Sequence, residues 1–123
     1  MNDLEIIYSY TRREAIEDGV LVDVSGIAAE VGIKYPVAVT AALWNQYIKP
    51  DQSLKSLGQS IEGRLWDILW MFRVNAFICK DSVLYFDVYF LMEKKLELVN
   101  LKAVCGPGDT LDPVVTIMLP DED

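Results

Sequence analysis

The sequence predicts an α+β domain: N-terminal short helices, then one long buried helix packed on a three-stranded antiparallel meander. Three observations predict it. Apolar residues recur at helical spacing up to residue 79, then switch to alternation from Val83 onward. A hydrophobic share of 52% over 123 residues is enough for one core and little else. No composition break, internal repeat or low-complexity run divides the chain, so residues 1–123 are expected to form a single domain with an acidic tail from about residue 120.

Thr11 reads as an N-cap, and Glu14 three residues later completes a capping box. The helix it opens, Arg12 to Asp18, stops at Gly19, a residue suited to the position after a helix end. Val20 to Val24 is a brief apolar run, strand or extended. Ser25 caps a second helix that ends at Gly32, with Ile27, Ala28 and Val31 on one side. Tyr35-Pro36 enforces an extended entry. A third helix is expected over Val37 to Tyr47, stopped by Pro50, with a polar loop over Asp51 to Gln59.

The fourth helix, near Ser60 to Cys79, supplies the core. At 100° per residue, Ile61, Leu65, Ile68, Leu69, Phe72 and Ala76 form one stripe, with Trp66, Trp70 and Phe77 in a second stripe beside it. Together the stripes cover more than half the circumference, so this helix is expected to be wrapped on several sides. Trp44, Trp66 and Trp70 then read as core. Arg64 and Asp67, three apart, are placed to pair along the helix.

Beyond it, Leu84, Phe86, Val88, Phe90 and Met92 share one strand face, and Tyr85, Asp87 and Tyr89 the other. Val99, Leu101, Ala103 and Cys105 face opposite to Leu98, Asn100 and Lys102. A turn centred on Lys94-Lys95, looser than a Gly-containing hairpin turn, sets Phe90 against Val99 and Phe86 against Ala103. The same register sets Asp87 against Lys102 and Tyr89 against Asn100. Gly106-Pro107-Gly108-Asp109 makes the next loop, and Val114 to Leu119 is the third strand.

Composition closes several functions. Eleven Lys and Arg against nineteen Asp and Glu leave a net charge of -8, which opposes direct binding to nucleic acid or an anionic membrane. Residues 109–123 hold five acids and no base. With no His, the His-based triads, zinc sites and facial triads are excluded. No cofactor or metal site is expected. The region Ile61 to Ile78 carries Glu62, Arg64, Asp67 and Arg73, too many charges for a bilayer span. Met1 to Tyr8 has Asp3 and Glu5 and no basic n-region, so no signal peptide and a cytoplasmic location are expected. Cys79 and Cys105 share no metal or redox spacing and read as reduced, partly buried thiols.

Two places carry candidate binding residues. Tyr85, Asp87, Tyr89, Asn100 and Lys102 form a polar and aromatic patch on the outer sheet face. It reads either as a partner surface, since aromatics anchor interfaces, or as a solvated face with one cross-strand ion pair. In Cys105-Gly106-Pro107-Gly108-Asp109, Gly106 and Gly108 permit close backbone approach and Asp109 offers a carboxylate. The loop lacks the Lys and Ser/Thr of a phosphate cradle, however, and reads first as a wide strand-to-strand connection. Cys105 has no His base to activate it. Asp18 and Asp23 read as helix-end and capping residues, and Arg12 and Arg13 as local ion-pair partners of Glu14 or Glu17. No catalytic residue is assigned.

Several blocks in order also carry a resemblance. Tyr10-Thr11-Arg12 and Ala15 through Val24 precede Pro36-Val37-Ala38-Val39-Thr40 and Trp44. They are followed by Gly63 through Trp70, Leu101 through Asp109, and Pro113 through Pro120. The chain resembles an uncharacterised family of short bacterial proteins carried on plasmids and other mobile or phage-like elements. The resemblance covers most of the chain, apart from Lys49 to Gln59 and Cys79 to Ser82. It implies a genomic setting and assigns no activity, so no catalytic residue is carried over.

The leading expectation is a mobile-element accessory protein that binds another protein, or a second copy of itself as a homodimer, without catalysis. An acidic DNA-mimic inhibitor of a host defence or nucleic-acid enzyme is a second class. A carboxylate-based metal-dependent enzyme using Asp18, Asp23, Asp67 or Asp109 is a third.

Overall fold

A computed structural model describes residues 10–49, 60–76, 82–92, 95–110 and 112–122. The expectations for Met1 to Tyr8, the loop Asp51 to Gln59, Phe77, Cys79 and the Lys94 end of the hairpin turn lie outside them.

The chain is α+β. In order, the elements are α1 (Arg12–Glu17), β1 (Leu21–Asp23), α2 (Ser25–Val31), β2 (Val37–Thr40) and α3 (Ala41–Leu43), which runs into a π-helical turn, Trp44–Ile48. There follow α4 (Ile61–Ala76), β3 (Val83–Met92), β4 (Lys95–Pro107) and β5 (Pro113–Met118). The strands form one sheet in the order β1-β2-β5-β4-β3. All neighbours are antiparallel except β2 and β5, which run parallel.

The helix signals at the N-terminus hold. The Thr11 hydroxyl accepts from Glu14 N–H, and the Glu14 carboxylate accepts from Thr11 N–H, so the capping box is formed. Gly19 and Gly32 both sit at positive φ after their helices, at 81° and 104°. The N-cap of α2 is Val24 rather than Ser25. The Ser25 hydroxyl instead donates to Asp23 at 2.6 Å and accepts from Val37 N–H at 3.0 Å, tying β1 to β2.

Two corrections concern the sheet. The three-stranded meander is the β3-β4-β5 part of a five-stranded mixed sheet, and Val37–Thr40 is a strand, not the start of a helix. Val37, Ala38 and Val39 are all fully buried, because β2 lies inside the sheet with both faces covered. A strand buried on both faces has no alternation to display, so its apolar run mimics a buried helix. Helix begins only after Thr40, whose hydroxyl accepts from Leu43 N–H.

The core lies between one sheet face and helices α2 and α4. Phe86, Val88 and Phe90 from β3 pack there with Leu101 and Ala103 from β4, Ile117 from β5 and Val39 from β2. Leu65, Ile68, Leu69 and Phe72 of α4 cover them, with Phe72 meeting Phe86 edge to face, centroids 6.0 Å apart. Trp66 and Trp70 of the second stripe are not core: they are 41% and 47% exposed. One side of α4 packs, and the side marked by Glu62, Asp67 and Arg73 faces solvent. Trp44 is half-buried against the core.

Arg64 turns from the helix surface into the fold. It is 2% exposed, donates to the Tyr47 and Leu91 carbonyls, and lies over the Phe90 ring at 5.4 Å. It thereby ties α4 to the π-helical turn and to β3. Among the described residues, no helix is long and apolar enough to cross a membrane.

Candidate functional site

The outer sheet face is covered unevenly. Over β2 and β5, α1 and the C-terminal turn close it, leaving Ala38 and Met118 buried. Arg12 reaches across to donate to Thr116 Oγ1 at 2.6 Å and the Val115 carbonyl at 2.8 Å. The Glu122 carboxylate accepts from Thr40 Oγ1 and Leu119 N–H, each at 2.8 Å, so the acidic tail begins as an anchored turn. Over β3 and β4 the face is open.

The observed register differs from the expected one by two residues. Phe86 faces Leu101, Asp87 faces Asn100, Tyr89 faces Leu98 and Tyr85 faces Lys102. A slip of two keeps every side chain on its predicted face, because the strand period is two. Alternation therefore cannot choose between these registers; the turn does, and pairing runs on to Met92 against Lys95. The expected Asp87–Lys102 ion pair is replaced. Asn100 Nδ2 donates to Asp87 Oδ1 at 2.9 Å, and Lys102 Nζ donates to the Glu122 carbonyl. With Asp87 satisfied by a neutral amide, the patch is more apolar than its composition suggests.

Tyr85 and Tyr89 are exposed as predicted, and Leu96 and Leu98 stand beside them, with Tyr89 and Leu96 at 62% and 65%. The two leucines were not among the predicted site residues. Their signal is apolar side chains on the strand parity of Asn100 and Lys102.

Backbone geometry adds the decisive feature. Among the described strands, β3 stands at the edge of the sheet. Cys105 N–H donates to the Ser82 carbonyl at 2.7 Å, and these two residues stand opposite each other on the same register. In an antiparallel ladder, hydrogen-bonded and non-bonded pairs alternate. Leu84, Phe86, Val88 and Phe90 therefore bond to β4, whereas Val83, Tyr85, Asp87 and Tyr89 turn N–H and C=O toward the open edge; Leu91 faces the same way, but its carbonyl accepts from Arg64. Hydrogen exchange on the isolated chain should alternate accordingly. Amides 85, 87 and 89 should exchange far faster than 86, 88 and 90, since unbonded edge amides need no opening of the ladder. Uniform protection along β3 would show that the edge is already paired.

Gly106, Gly108 and Asp109 lie apart from this patch, in a hollow of about 390 Å³ shared with Tyr10, Thr11 and Arg12. Asp109 caps α1 across the chain, accepting from Arg12 N–H at 2.7 Å and Arg13 N–H at 2.9 Å. These two amides, Arg13 first, hold its carboxyl below the usual carboxylate range. A carboxyl lowered by folding contributes stability above its unfolded pKa and loses it as pH falls through the folded value. The native chain should thus lose more stability between pH 7 and about pH 3 than Asp109→Asn, as read by urea midpoints. Equal losses would show that the carboxylate does not hold α1.

The other acids are dispersed. Asp18 accepts from the Tyr10 hydroxyl at 2.7 Å, which pushes that phenol up to about 12. Asp23 accepts from Ser25, and Arg13 pairs with Glu17 at 3.7 Å along α1. Burial pushes the Asp67 carboxyl up, against the pull of Arg64. Among the described residues, no three Cys, Asp or Glu side chains form a metal-holding group.

Over its whole length, residues 1–123, the chain matches a family of unknown function, DUF6573, and it belongs to that family. No curated protein and no solved structure matches it.

Proposed function

We propose that this chain is a non-catalytic protein-binding module and that its partner adds an extended segment along the free edge of β3. The observation that carries this reading is the outward-turned backbone of Val83, Tyr85, Asp87 and Tyr89, with exposed Tyr85, Tyr89, Leu96 and Leu98 on the adjoining face. Strand addition takes affinity from main-chain hydrogen bonds and specificity from alternate side chains. Proteins that keep an edge unpaired guard it with Lys, Pro or a bulge. Val83–Met92 contains no Lys or Pro, pairs with β4 without interruption, and carries one charge, Asp87. The resemblance to proteins of plasmids and other mobile elements supports a role as a bacterial, cytoplasmic accessory protein.

The test is capture of a partner from bacterial lysate by the tagged chain and by two variants, with washes at about 0.1 M and 0.5 M salt. Tyr89→Pro removes an edge N–H that β4 does not use, so the fold tolerates it. Tyr89→Ala removes only the side chain. A partner held through both washes by the native chain, weakened by Tyr89→Ala and lost by Tyr89→Pro is the expected result. Retention by Tyr89→Pro, or recovery of the bait alone, would overturn the reading. A second copy offers the same edge, and concentration-dependent mass of the pure chain in sedimentation would identify it as the occupant.

A further inference from the structure

On the helical side of the sheet, a cleft of about 500 Å³ opens between the end of α2, the second half of α4 and the adjoining ends of β3, β4 and β5. That volume falls within the range of small-molecule sites, which are mostly apolar with a few placed polar groups. Its walls include Phe72, Ala76, Leu84 and Val115, of which Phe72 and Val115 are buried core residues. Two cations also line it, Lys34 and Arg73.

Arg73 is held in place. Its guanidinium lies over the Trp70 ring at 5.6 Å. Its Nε stands 3.0 Å from where a Cβ on Gly32 would be, so the glycine that ends α2 also makes room for it. The left-handed backbone of Gly32, with φ 104°, disfavours any other residue there. Among the described residues, neither Arg73 nor Lys34 lies within ion-pair distance of a carboxylate. In a chain with nineteen acids and eleven bases, two such cations beside one apolar cleft form a local inversion of charge.

We propose that this cleft binds a small amphipathic monocarboxylate. Its apolar tail lies against Phe72, Leu84 and Val115, and its carboxylate meets Arg73, with Lys34 beside it. The planar guanidinium fork matches a carboxylate with two parallel hydrogen bonds. The apolar walls leave a fully polar anion without compensation for its desolvation, which selects an acid with a hydrocarbon body. The proposal does not rest on the β3 edge, whose open backbone and exposed side chains lie elsewhere.

The full chain is titrated with octanoate, octanol and octylamine, followed by calorimetry and by tryptophan fluorescence, to which Trp70 under Arg73 contributes. Octanoate should bind saturably, with octanol and octylamine at least about tenfold weaker, or about 1.4 kcal/mol. Arg73→Gln should weaken octanoate by about tenfold while leaving octanol unchanged. Lys34→Gln should act in the same sense by less. Leu84→Trp, which fills the cleft, should abolish binding; if it fails to fold, the two charge variants carry the test, with thermal melts to confirm their structure. Octanol binding as tightly as octanoate, an Arg73→Gln affinity within about twofold of native, or no saturable octanoate binding up to about millimolar concentration would each overturn the proposal.

Discussion

Arg64→Ala should cost about 3–5 kcal/mol of folding stability, read as a large fall in the urea midpoint with little change in slope. The guanidinium is buried and donates to the Tyr47 and Leu91 carbonyls, so truncation leaves both acceptors in a region that water does not reach. Each buried acceptor left unmatched costs about 1–3 kcal/mol. The cavity beneath Phe90 adds to that, because the stacked Tyr47 and Phe90 rings, 5.6 Å apart, lose the cation lying against them. Arg64→Met keeps the volume and should lose less. Arg64→Lys keeps a charge and donors but not the fork that reaches two carbonyls, and should fall between native and Met. Domains of this size have about 5–15 kcal/mol in total, so the Ala variant sits close to unfolding at 37 °C or below. A loss under about 1 kcal/mol for Arg64→Ala would mean that the side chain does not tie the three elements together.

Gly108→Ala should destabilise by about 1–3 kcal/mol, whereas Gly106→Ala should stay within about 0.5 kcal/mol of native. A Cβ at position 108 would stand 2.8 Å from Val114 Cγ1, and nothing lies within 4 Å of one at position 106. Val114 is β-branched and stiff, so it cannot swing aside without leaving its rotamer. Gly108 N–H also donates to the Asp112 carbonyl at 3.0 Å, which holds the loop against β5. The double variant Gly108→Ala/Val114→Ala removes the obstructing methyl and should recover most of the loss. That non-additivity separates a steric cause from backbone entropy. If Gly108→Ala melts like the native chain, the close approach seen here is not a constraint. The expected loop over Gly106-Pro107-Gly108-Asp109 starts later than its glycines suggest, since Gly106 and Pro107 end β4 paired with Val114 and Pro113, and the residues that looked available to a ligand are largely engaged with the chain itself. Gly108 admits Val114, and Asp109 caps α1.

Much of the architecture follows from local chemistry that a sequence displays. The capping box of Thr11 and Glu14, the glycine stops at 19 and 32, the stripe of Leu65, Ile68, Leu69 and Phe72, and the alternation of β3 and β4 each depend on residues a few positions apart. The outward placement of Tyr85, Asp87, Tyr89, Asn100 and Lys102 follows from that alternation alone. It survives the two-residue difference in register because side-chain facing depends only on parity.

Partnership between distant segments was decided by the tertiary structure. Val37–Thr40 is a strand because β1 and β5 flank it and cover its backbone, a circumstance that its own four residues do not encode. Trp66 and Trp70 lie at solvent because the sheet offers α4 only one face to pack against, although their hydropathy matches a second buried stripe. Arg64 turns inward because two carbonyls from remote elements meet it there, and Lys34 and Arg73 come to one cleft from α2's end and α4. Helical and strand periods are set by bonds between near neighbours and so are written locally. Sheet order, register and the company a charge keeps are set by which surfaces exclude water together, and that is a property of the folded whole.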